Sequence, residues 1–145
     1  MDLKIADTND IPLLIGMIKS FYEEDHHDYQ EKKIQKALQE FIGKKEHGII
    51  YLIEYENKVV GYFILTFGWS LEYFGRDLFI DEIFIKEPFR GRGFGKKSID
   101  FIEQYVKDNN IKAIHLEVNK YNMARKLYES KGYQSRNSDL MSKRF

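Results

Sequence analysis

The segment that most restricts the fold is DLFIDEIFI, residues Asp77 to Ile85. As a strand it carries apolar side chains on both faces, and only Asp81 and Glu82 interrupt them. A strand that is apolar on both faces lies inside a sheet whose two sides are both covered. The segment therefore predicts an α/β fold in layers, with this strand near its centre.

The hydrophobic pattern along the rest of the chain predicts the other elements. Predicted helices cover about residues 11–22, 30–45, 93–107 and 121–132. Predicted strands cover 3–6, 48–55, 58–67 and 111–118, and GYQSR with DLMSKRF forms a final hairpin. The resulting order is βααβββαβαββ. It indicates a single domain over residues 1–145, with a mixed, mostly antiparallel sheet flanked by helices.

Charge and cysteine content exclude several function classes. The chain has 23 basic and 23 acidic residues, so no net charge draws it to nucleic acid or to an anionic membrane. It has no cysteine, which excludes disulfides, thiolate metal sites and a cysteinyl acyl-enzyme. The first long apolar run, Ile11 to Ile18, is too short to span a bilayer. We expect a cytoplasmic protein.

A basic, glycine-rich loop, RGRGFG (Arg90 to Gly95), follows the central strand. Glycines let backbone N–H groups approach an anion closely, and a helix that begins near Gly93 directs its positive end to the same place. Lys96 and Lys97 add charge. The pattern predicts a site for a pyrophosphate-bearing ligand. The structural alternative is a tight turn with solvated charges.

Three known motifs of this general kind do not fit the loop. A P-loop has glycine where this chain has Arg90, and serine or threonine where it has Lys97. A dinucleotide-binding fingerprint reads G-x-G-x-x-G, whereas this loop reads G-x-G-x-G. An arginine-glycine tract that binds RNA is repeated and has polar flanks, but this loop occurs once between a strand and a helix.

The loop resembles a family motif. Arg90-Gly91-Arg92-Gly93-Phe94-Gly95, after the strand IDEIFI, is similar to the (Q/R)-x-x-G-x-(G/A) motif of the GNAT superfamily of N-acetyltransferases. Downstream, LEVNKYNMARKLYESKGY resembles the second signature of the same superfamily, a strand, an asparagine and a helix that ends in Tyr before Gly-aromatic. The element order matches as well, so the resemblance covers essentially the whole chain.

The resemblance implies acetyl-CoA as the acetyl donor, held in a V between the strand that ends at Ile85 and the strand that ends at Val118. The implied contacts to the pantetheine arm come from Ile83, Phe84 and Ile85. The implied pyrophosphate contacts are Arg90, Gly91, Arg92, Gly93, Phe94, Gly95 and Lys96. Relatives commonly have N-x-x-A before the tyrosine, whereas this chain has Tyr121 at that asparagine position. Asn119 and Asn122 both stay candidates for a further contact to the arm.

Acetyl transfer to an amine needs a base for the amine and an acid for the departing thiolate. The resemblance implies Tyr128 as the acid, four residues after Ala124; core packing is the alternative. Asp81 and Glu82 are the candidate bases, and strand alternation directs at most one of them to the site. The strand also resembles L-E-D-x-F-V of spermidine/spermine acetyltransferases, with Asp81 at the glutamate position, but the choice stays open.

The acceptor is predicted from acidic and aromatic residues that would overhang the cleft, since such groups suit a cationic amine. They are Glu24, Asp25, Trp69 and Tyr73. A polyamine or another small diamine is the first choice. A protein N-terminus or lysine is the second, and a silent acyl-CoA-binding sensor is the alternative of another class.

Two further features concern a metal and a partner chain. His26 and His27 are adjacent and stand between acidic residues, but nothing else in the sequence converges on them, so no metal site is predicted. A homodimer is left open, with DLMSKRF as an edge strand that could pair.

Overall fold

The structure is a computed structural model, and it describes residues 1–136 and 138–145. Five strands form one sheet in the order β1-β2-β3-β4-β5. They are β1 (Asp2–Ile5), β2 (Gly48–Tyr55), β3 (Lys58–Ser70), β4 (Gly75–Ile85) and β5 (Ala113–Leu116). The first three pairings are antiparallel, and β4 pairs with β5 in parallel. The predicted α/β class and the mixed, mostly antiparallel sheet are confirmed.

Four helices cover the two faces of the sheet. They are α1 (Ile11–Glu24), α2 (Glu31–Gly43), α3 (Phe94–Asp108) and α4 (Ala124–Ser130). One core cluster joins α1 and α2 to side chains such as Leu52 and Tyr62, and the other joins α3 and α4 to Ile53 and Phe63. The side chains of neighbouring strand residues thus pack on opposite faces of the sheet, as strand alternation requires.

The start of α1 follows from its sequence. Asp7 and Asp10 form a capping box around the 3-10 turn Thr8–Asp10, which leads directly into α1. The Asp7 N–H donates to the Asp10 carboxylate, and the Asp7 carboxylate accepts from the N–H of Asn9. Pro12 occupies the first turn of the helix, where its missing N–H costs nothing. These local signals were readable from DTNDIP, and the predicted helix start agrees with the structure.

A β-bulge at Asp81 divides β4 into two parts. Ile80 lies opposite Leu65 of β3 and Glu82 lies opposite Ile64, so Asp81 is an extra residue without a partner on β3. β5 pairs with β4 only as far as Ile80, so the two strands separate at the bulge. Beyond it, β4 stays bonded to β3, but no other described strand pairs with its second edge. This gap corresponds to the predicted V.

The predicted final hairpin of GYQSR and DLMSKRF is wrong for the residues that the structure describes. Residues 133–136 and 138–145 contain no strand, which leaves β5 at the edge of the sheet. Leu140 and Met141 stay exposed, so this segment buries too little apolar surface to order a hairpin. Arg136 instead donates hydrogen bonds to Glu72 and Tyr73 in the turn between β3 and β4.

Among the described residues, no helix combines the length and the apolar character needed to cross a membrane.

Candidate active site

The glycine-rich loop leaves β4 through a short 3-10 turn, Glu87–Phe89. Gly91 and Gly93 have φ angles of 74° and 82°, in the left-handed region where other residues pay a steric cost of about 1–2 kcal/mol. Gly95 has no such φ, and a Cβ placed there would meet no described atom within 4 Å. The left-handed backbone therefore accounts for glycine at positions 91 and 93. Neither backbone conformation nor packing within the chain requires glycine at position 95.

The first turn of α3 faces open space with its amides free of side-chain caps. Gly93 is the N-cap residue, and no side chain of the described residues caps this end of the helix. The first N–H groups of a helix have no partner within it, and the helix dipole makes this end positive. Phe94 is buried against Tyr55, with ring centroids 5.2 Å apart, so it offers only its amide. The arrangement suits an anion.

Arg90 makes contacts that the sequence did not predict. Its Nη2 donates to both carboxylate oxygens of Glu24, at 2.9 and 2.7 Å, and its Nε donates to the carbonyl of Ile85 at 2.8 Å. Its backbone N–H donates to the carbonyl of Glu87. Arg90 therefore links the end of α1 to the end of β4. Arg90, a predicted pyrophosphate contact, is thus hydrogen-bonded to Glu24, a predicted acceptor contact.

The other predicted pyrophosphate contacts differ in what their side chains do. The guanidinium carbon of Arg92 lies 5.4 Å from the ring centroid of Phe89. Lys96 is exposed at the first turn of α3. Both cations thus remain beside the free amides of the loop.

The end of β4 offers backbone groups along one edge. Ile83, Phe84 and Ile85 pair with β3, while β5 has already separated from β4. Alternate N–H and C=O groups of a strand point to each side, so the unpaired edge is available to an extended ligand. The predicted pantetheine residues lie where an extended chain with amide groups could add to the sheet.

The two candidate asparagines lie in the loop between β5 and α4. The side-chain oxygen of Asn119 accepts from the N–H of Tyr121 at 3.3 Å, and that of Asn122 accepts from the N–H of Ala124 at 2.9 Å. Both are exposed. Each oxygen stabilises a local turn, and each amide NH2 keeps two donors for a ligand.

Glu82 lies on the α1 face of the sheet, within a group of phenols. Its Oε2 accepts a hydrogen bond from the hydroxyl of Tyr62 at 2.7 Å, and Tyr62 is fully buried. Burial raises the pKa of the Glu82 carboxyl, and the nearby charge of Asp81 adds to the rise. Burial and the charge of Glu82 raise the pKa of Tyr22 to about 12.

The bulge overturns the expectation that alternation directs only one of the two carboxylates to the site. Ile80 and Ile83 both pack in the cluster with α3, and Phe84 packs with α1, so alternation fails between Ile80 and Ile83. The exposed Asp81 acts electrostatically on the same Tyr62 and Tyr22 phenols as Glu82. Alternation therefore does not choose between the two carboxylates.

Tyr128 lies on α4 beside the end of β5. Its side chain is 6% exposed, and burial raises the pKa of its phenol. It lines a groove of about 920 Å³ between β5, α4 and the C-terminal segment, together with Leu116 and Arg136. Residues 81–85 and the glycine-rich loop do not line this groove, so it does not connect Tyr128 to the predicted cofactor contacts. Burial keeps the phenol protonated at neutral pH.

The four predicted acceptor residues are not brought together. Glu24 lies at the end of β4 with Arg90, whereas Tyr73 lies at the start of β4, with its ring centroid 5.0 Å from that of His115. Roughly 30 Å of strand separates these positions. Asp25 pairs with His27 at 2.7 Å, and Trp69 is 75% exposed.

Sequence reasoning missed the residues around Glu82. Tyr62 looks like an ordinary core aromatic in the sequence, and His27 stands there only as a possible metal ligand beside His26. The signal that could have found them is the pair of adjacent carboxylates within an apolar strand, because such groups need buried donors. In residues 1–136 and 138–145, no three His, Cys, Asp or Glu side chains converge in a way that could hold a metal.

Comparisons with known proteins agree with this geometry. The family model described as the acetyltransferase (GNAT) family matches residues 15–133. The thialysine N-epsilon-acetyltransferase of Bos taurus is 32% identical over 77 residues, which are 52% of this chain and 45% of that protein. The matches span less than half the length of the curated relatives.

Solved structures share the fold. An integron cassette protein, HFX_CASS3, from the mobile metagenome of Cole Harbour Salt Marsh is 27% identical with a TM-score of 0.85, over 98% of this chain and 89% of that one. A "predicted acetyltransferase" from Clostridium acetobutylicum, solved with acetyl-CoA, is 19% identical with a TM-score of 0.81, over 98% and 95% of the two chains.

Proposed function

The chain belongs to the acetyltransferase (GNAT) family, and on that premise we propose that it transfers an acetyl group directly from acetyl-CoA to an amine. The observation that carries the proposal is the unpaired edge of β4, which leads to the uncapped first turn of α3. A ligand with an extended arm that ends in a pyrophosphate fits this order, with the arm along the edge of β4 and the pyrophosphate at the first turn of α3. Because the chain has no cysteine, an acyl-cysteine intermediate is excluded.

The cofactor contacts follow from the free backbone groups. We assign the pantetheine arm to the open edge of Ile83, Phe84 and Ile85. We assign the pyrophosphate to the amides of residues 91–96, with the cations of Arg92 and Lys96 beside them. Backbone donors of this kind make charge-assisted hydrogen bonds to phosphate oxygens.

The chemical step needs one proton acceptor and one proton donor. An amine reaches the site as an ammonium, so it must lose a proton before its nitrogen attacks the thioester carbonyl. We assign this proton to Glu82, whose raised pKa brings it nearer to neutral pH, with Asp81 beside it. The C–S bond then breaks, and the departing thiolate takes the phenolic proton of Tyr128. The new amide nitrogen loses its second proton, and this proton returns to the phenolate of Tyr128.

The acceptor proposed is a small molecule with a cationic primary amine. Asp81 and Glu82 supply negative charge, and Tyr22 and Tyr29 lie as aromatic surfaces on the same side, with their centroids 6.5 Å apart. Charge and cation–π contact together favour an ammonium group with an aliphatic chain. A polyamine or another small diamine is the first choice, and the similarity to a thialysine N-epsilon-acetyltransferase supports a terminal amine.

The test is release of free CoA from acetyl-CoA, followed with a thiol reagent. The panel holds spermidine, a short diamine, thialysine, and peptides with a free N-terminus or an internal lysine. We expect turnover with the small amines and none with the peptides. Turnover with the peptides alone would identify a protein acetyltransferase. Binding of acetyl-CoA without turnover on any amine would identify a sensor.

Gly95 gives a test of the cofactor site that does not depend on the acceptor. Gly95→Leu is expected to raise the dissociation constant of acetyl-CoA at least about tenfold, because the side chain fills the space ahead of the free amides. Leucine is a good helix former, so the helix itself should persist. Isothermal titration with acetyl-CoA measures the effect.

Gly95→Ala is the matched control. A methyl group meets no described atom within 4 Å, so we expect unchanged binding and a gain in stability of about 0.5–1 kcal/mol from helix propensity. If Gly95→Leu bound acetyl-CoA as tightly as Gly95→Ala, the pyrophosphate would have to lie elsewhere.

A further inference from the structure

The turn after α1 holds a histidine in a defined position. His27 donates its backbone N–H to the carbonyl of Tyr22 at 2.9 Å, and its Nε2 lies 2.7 Å from the carboxylate of Asp25. Its ring centroid lies 5.3 Å from that of Tyr22 and 6.3 Å from that of Phe21. The imidazole is thus fixed by one carboxylate and two aromatic rings, with about half of its surface in solvent.

This histidine adjoins the surroundings of Glu82. Phe21 packs against Phe84, with ring centroids 6.1 Å apart, and Phe84 in turn packs against Tyr62, which bonds to Glu82. The charge of His27, when protonated, acts on Glu82 and lowers its pKa, against the larger effect of burial. His27 thus packs on the solvent side of Tyr22, the second phenol that acts on Glu82.

The proposed reaction gives Glu82 a proton in every cycle, and that proton must leave. The hydroxyl of Tyr62 is no route outward, because this side chain is fully buried. On the other side, Tyr22 is half-buried and His27 is exposed. The titratable groups around Glu82 come from every element packed against it. They are Tyr62 of β3, Asp81 of β4, Tyr22 of α1 and His27 of the following turn.

We propose that His27, oriented by Asp25, is the residue through which the proton collected by Glu82 passes to solvent. The inference rests on the proposed function. An imidazole readily takes up and releases a proton near neutral pH. With its Nε2 held toward Asp25, the other ring nitrogen is the acceptor.

The transfer balances in three steps. The ammonium of the acceptor gives one proton to the carboxylate of Glu82. The Tyr22 phenol gives its own proton to the imidazole, which becomes an imidazolium paired with Asp25, and takes the proton of Glu82 in return. The imidazolium then releases the proton to water, which restores both groups. His27 acts through Glu82, so it is a positioning residue and not a catalytic one.

His27→Ala tests the proposal in the full-length protein, with acetyl-CoA and the best amine of the panel. We expect kcat to fall about tenfold, less than the roughly 100-fold loss expected for a direct acid–base group. Added imidazole should restore kcat in proportion to its concentration, since a small base can carry the proton from the vacated position. A purely structural role of His27 would give no such restoration.

His26→Ala is the matched control. His26 is the neighbouring exposed histidine, with a φ of 56°, and no part of the proposed route passes through it. We expect kcat to be unchanged and independent of imidazole. Melting temperatures of both variants reveal any loss of fold.

The results distinguish the proposed role of His27 from the proposed acetyl transfer. Turnover by the unaltered protein, with no imidazole response in His27→Ala or an equal loss in both variants, contradicts the role of His27 alone. A lack of turnover by the unaltered protein on every amine contradicts the proposed function, and the inference with it.

Discussion

Tyr128→Phe is expected to lower kcat for acetyl transfer about 100-fold while leaving the dissociation constant of acetyl-CoA unchanged. Burial raises the pKa of this phenol, so it holds its proton at neutral pH and can give it to the departing thiolate. Phenylalanine keeps the ring and its packing, so only the proton is lost. Initial rates of CoA release measure kcat, and a titration with acetyl-CoA measures binding.

Tyr133→Phe is the control for removing a buried hydroxyl. The Tyr133 ring packs edge-on against Tyr128 at 5.7 Å, and its hydroxyl is buried with no hydrogen-bond partner among the described residues. We expect unchanged kcat and a higher melting temperature, because an unpaired buried hydroxyl destabilises the fold by about 1–3 kcal/mol. Full activity of Tyr128→Phe, or an equal loss in both variants, would remove Tyr128 from the reaction.

Local sequence signals predicted most of the fold. The helix after DTNDIP and the two strands joined by Glu56-Asn57 depend on caps, turns and alternation within a few residues. The final hairpin was predicted from the same kind of signal and did not form in the described residues. Strand-like residues order a strand only when it buries apolar surface, and Leu140 and Met141 do not.

The backbone of the glycine-rich loop can be inferred from the sequence, whereas the partners of its side chains cannot. Glycine at Gly91 and Gly93 is a local conformational requirement, so the sequence shows it. The bond between Arg90 and Glu24 joins residues 66 positions apart. Such a pairing depends on how α1 lies against the end of β4, and no spacing rule in the sequence contains that information.

The bulge at Asp81 was the least predictable feature of the site. One additional residue in β4 changes which face each later side chain occupies, and it also marks where β5 leaves the sheet. The sequence showed two adjacent carboxylates in an apolar strand, but the alternation rule separated them. In the structure Glu82 accepts a hydrogen bond from Tyr62, whereas Asp81 is exposed at the bulge, so the two carboxylates differ in their surroundings.

Glu82→Gln tests that difference. We expect kcat to fall about 10²–10³-fold, because the amide cannot accept the proton of the ammonium. In the unaltered protein burial raises the pKa of Glu82, so activity should rise with pH through a pKa above the ordinary glutamate range. That rise should disappear from the pH profile of the variant.

The same substitution should stabilise the fold. The folded-state pKa of Glu82 lies above its unfolded value, so protonation favours folding, and stability is lost as pH rises through the folded pKa. Glutamine stays neutral and can still accept from Tyr62. Its melting temperature should exceed that of the unaltered protein above this pKa, and the difference should vanish below the ordinary glutamate pKa.

Asp81→Asn separates the two carboxylates. The charge of Asp81 contributes to the raised pKa of Glu82, so its removal should move the rise in activity to lower pH, with a smaller loss of kcat than in Glu82→Gln. If Asp81→Asn abolished turnover while Glu82→Gln retained it, Asp81 would be the base. Glu82 would then be a buried carboxylate that Tyr62 holds for the structure of the site, and the route through His27 would have no proton to carry.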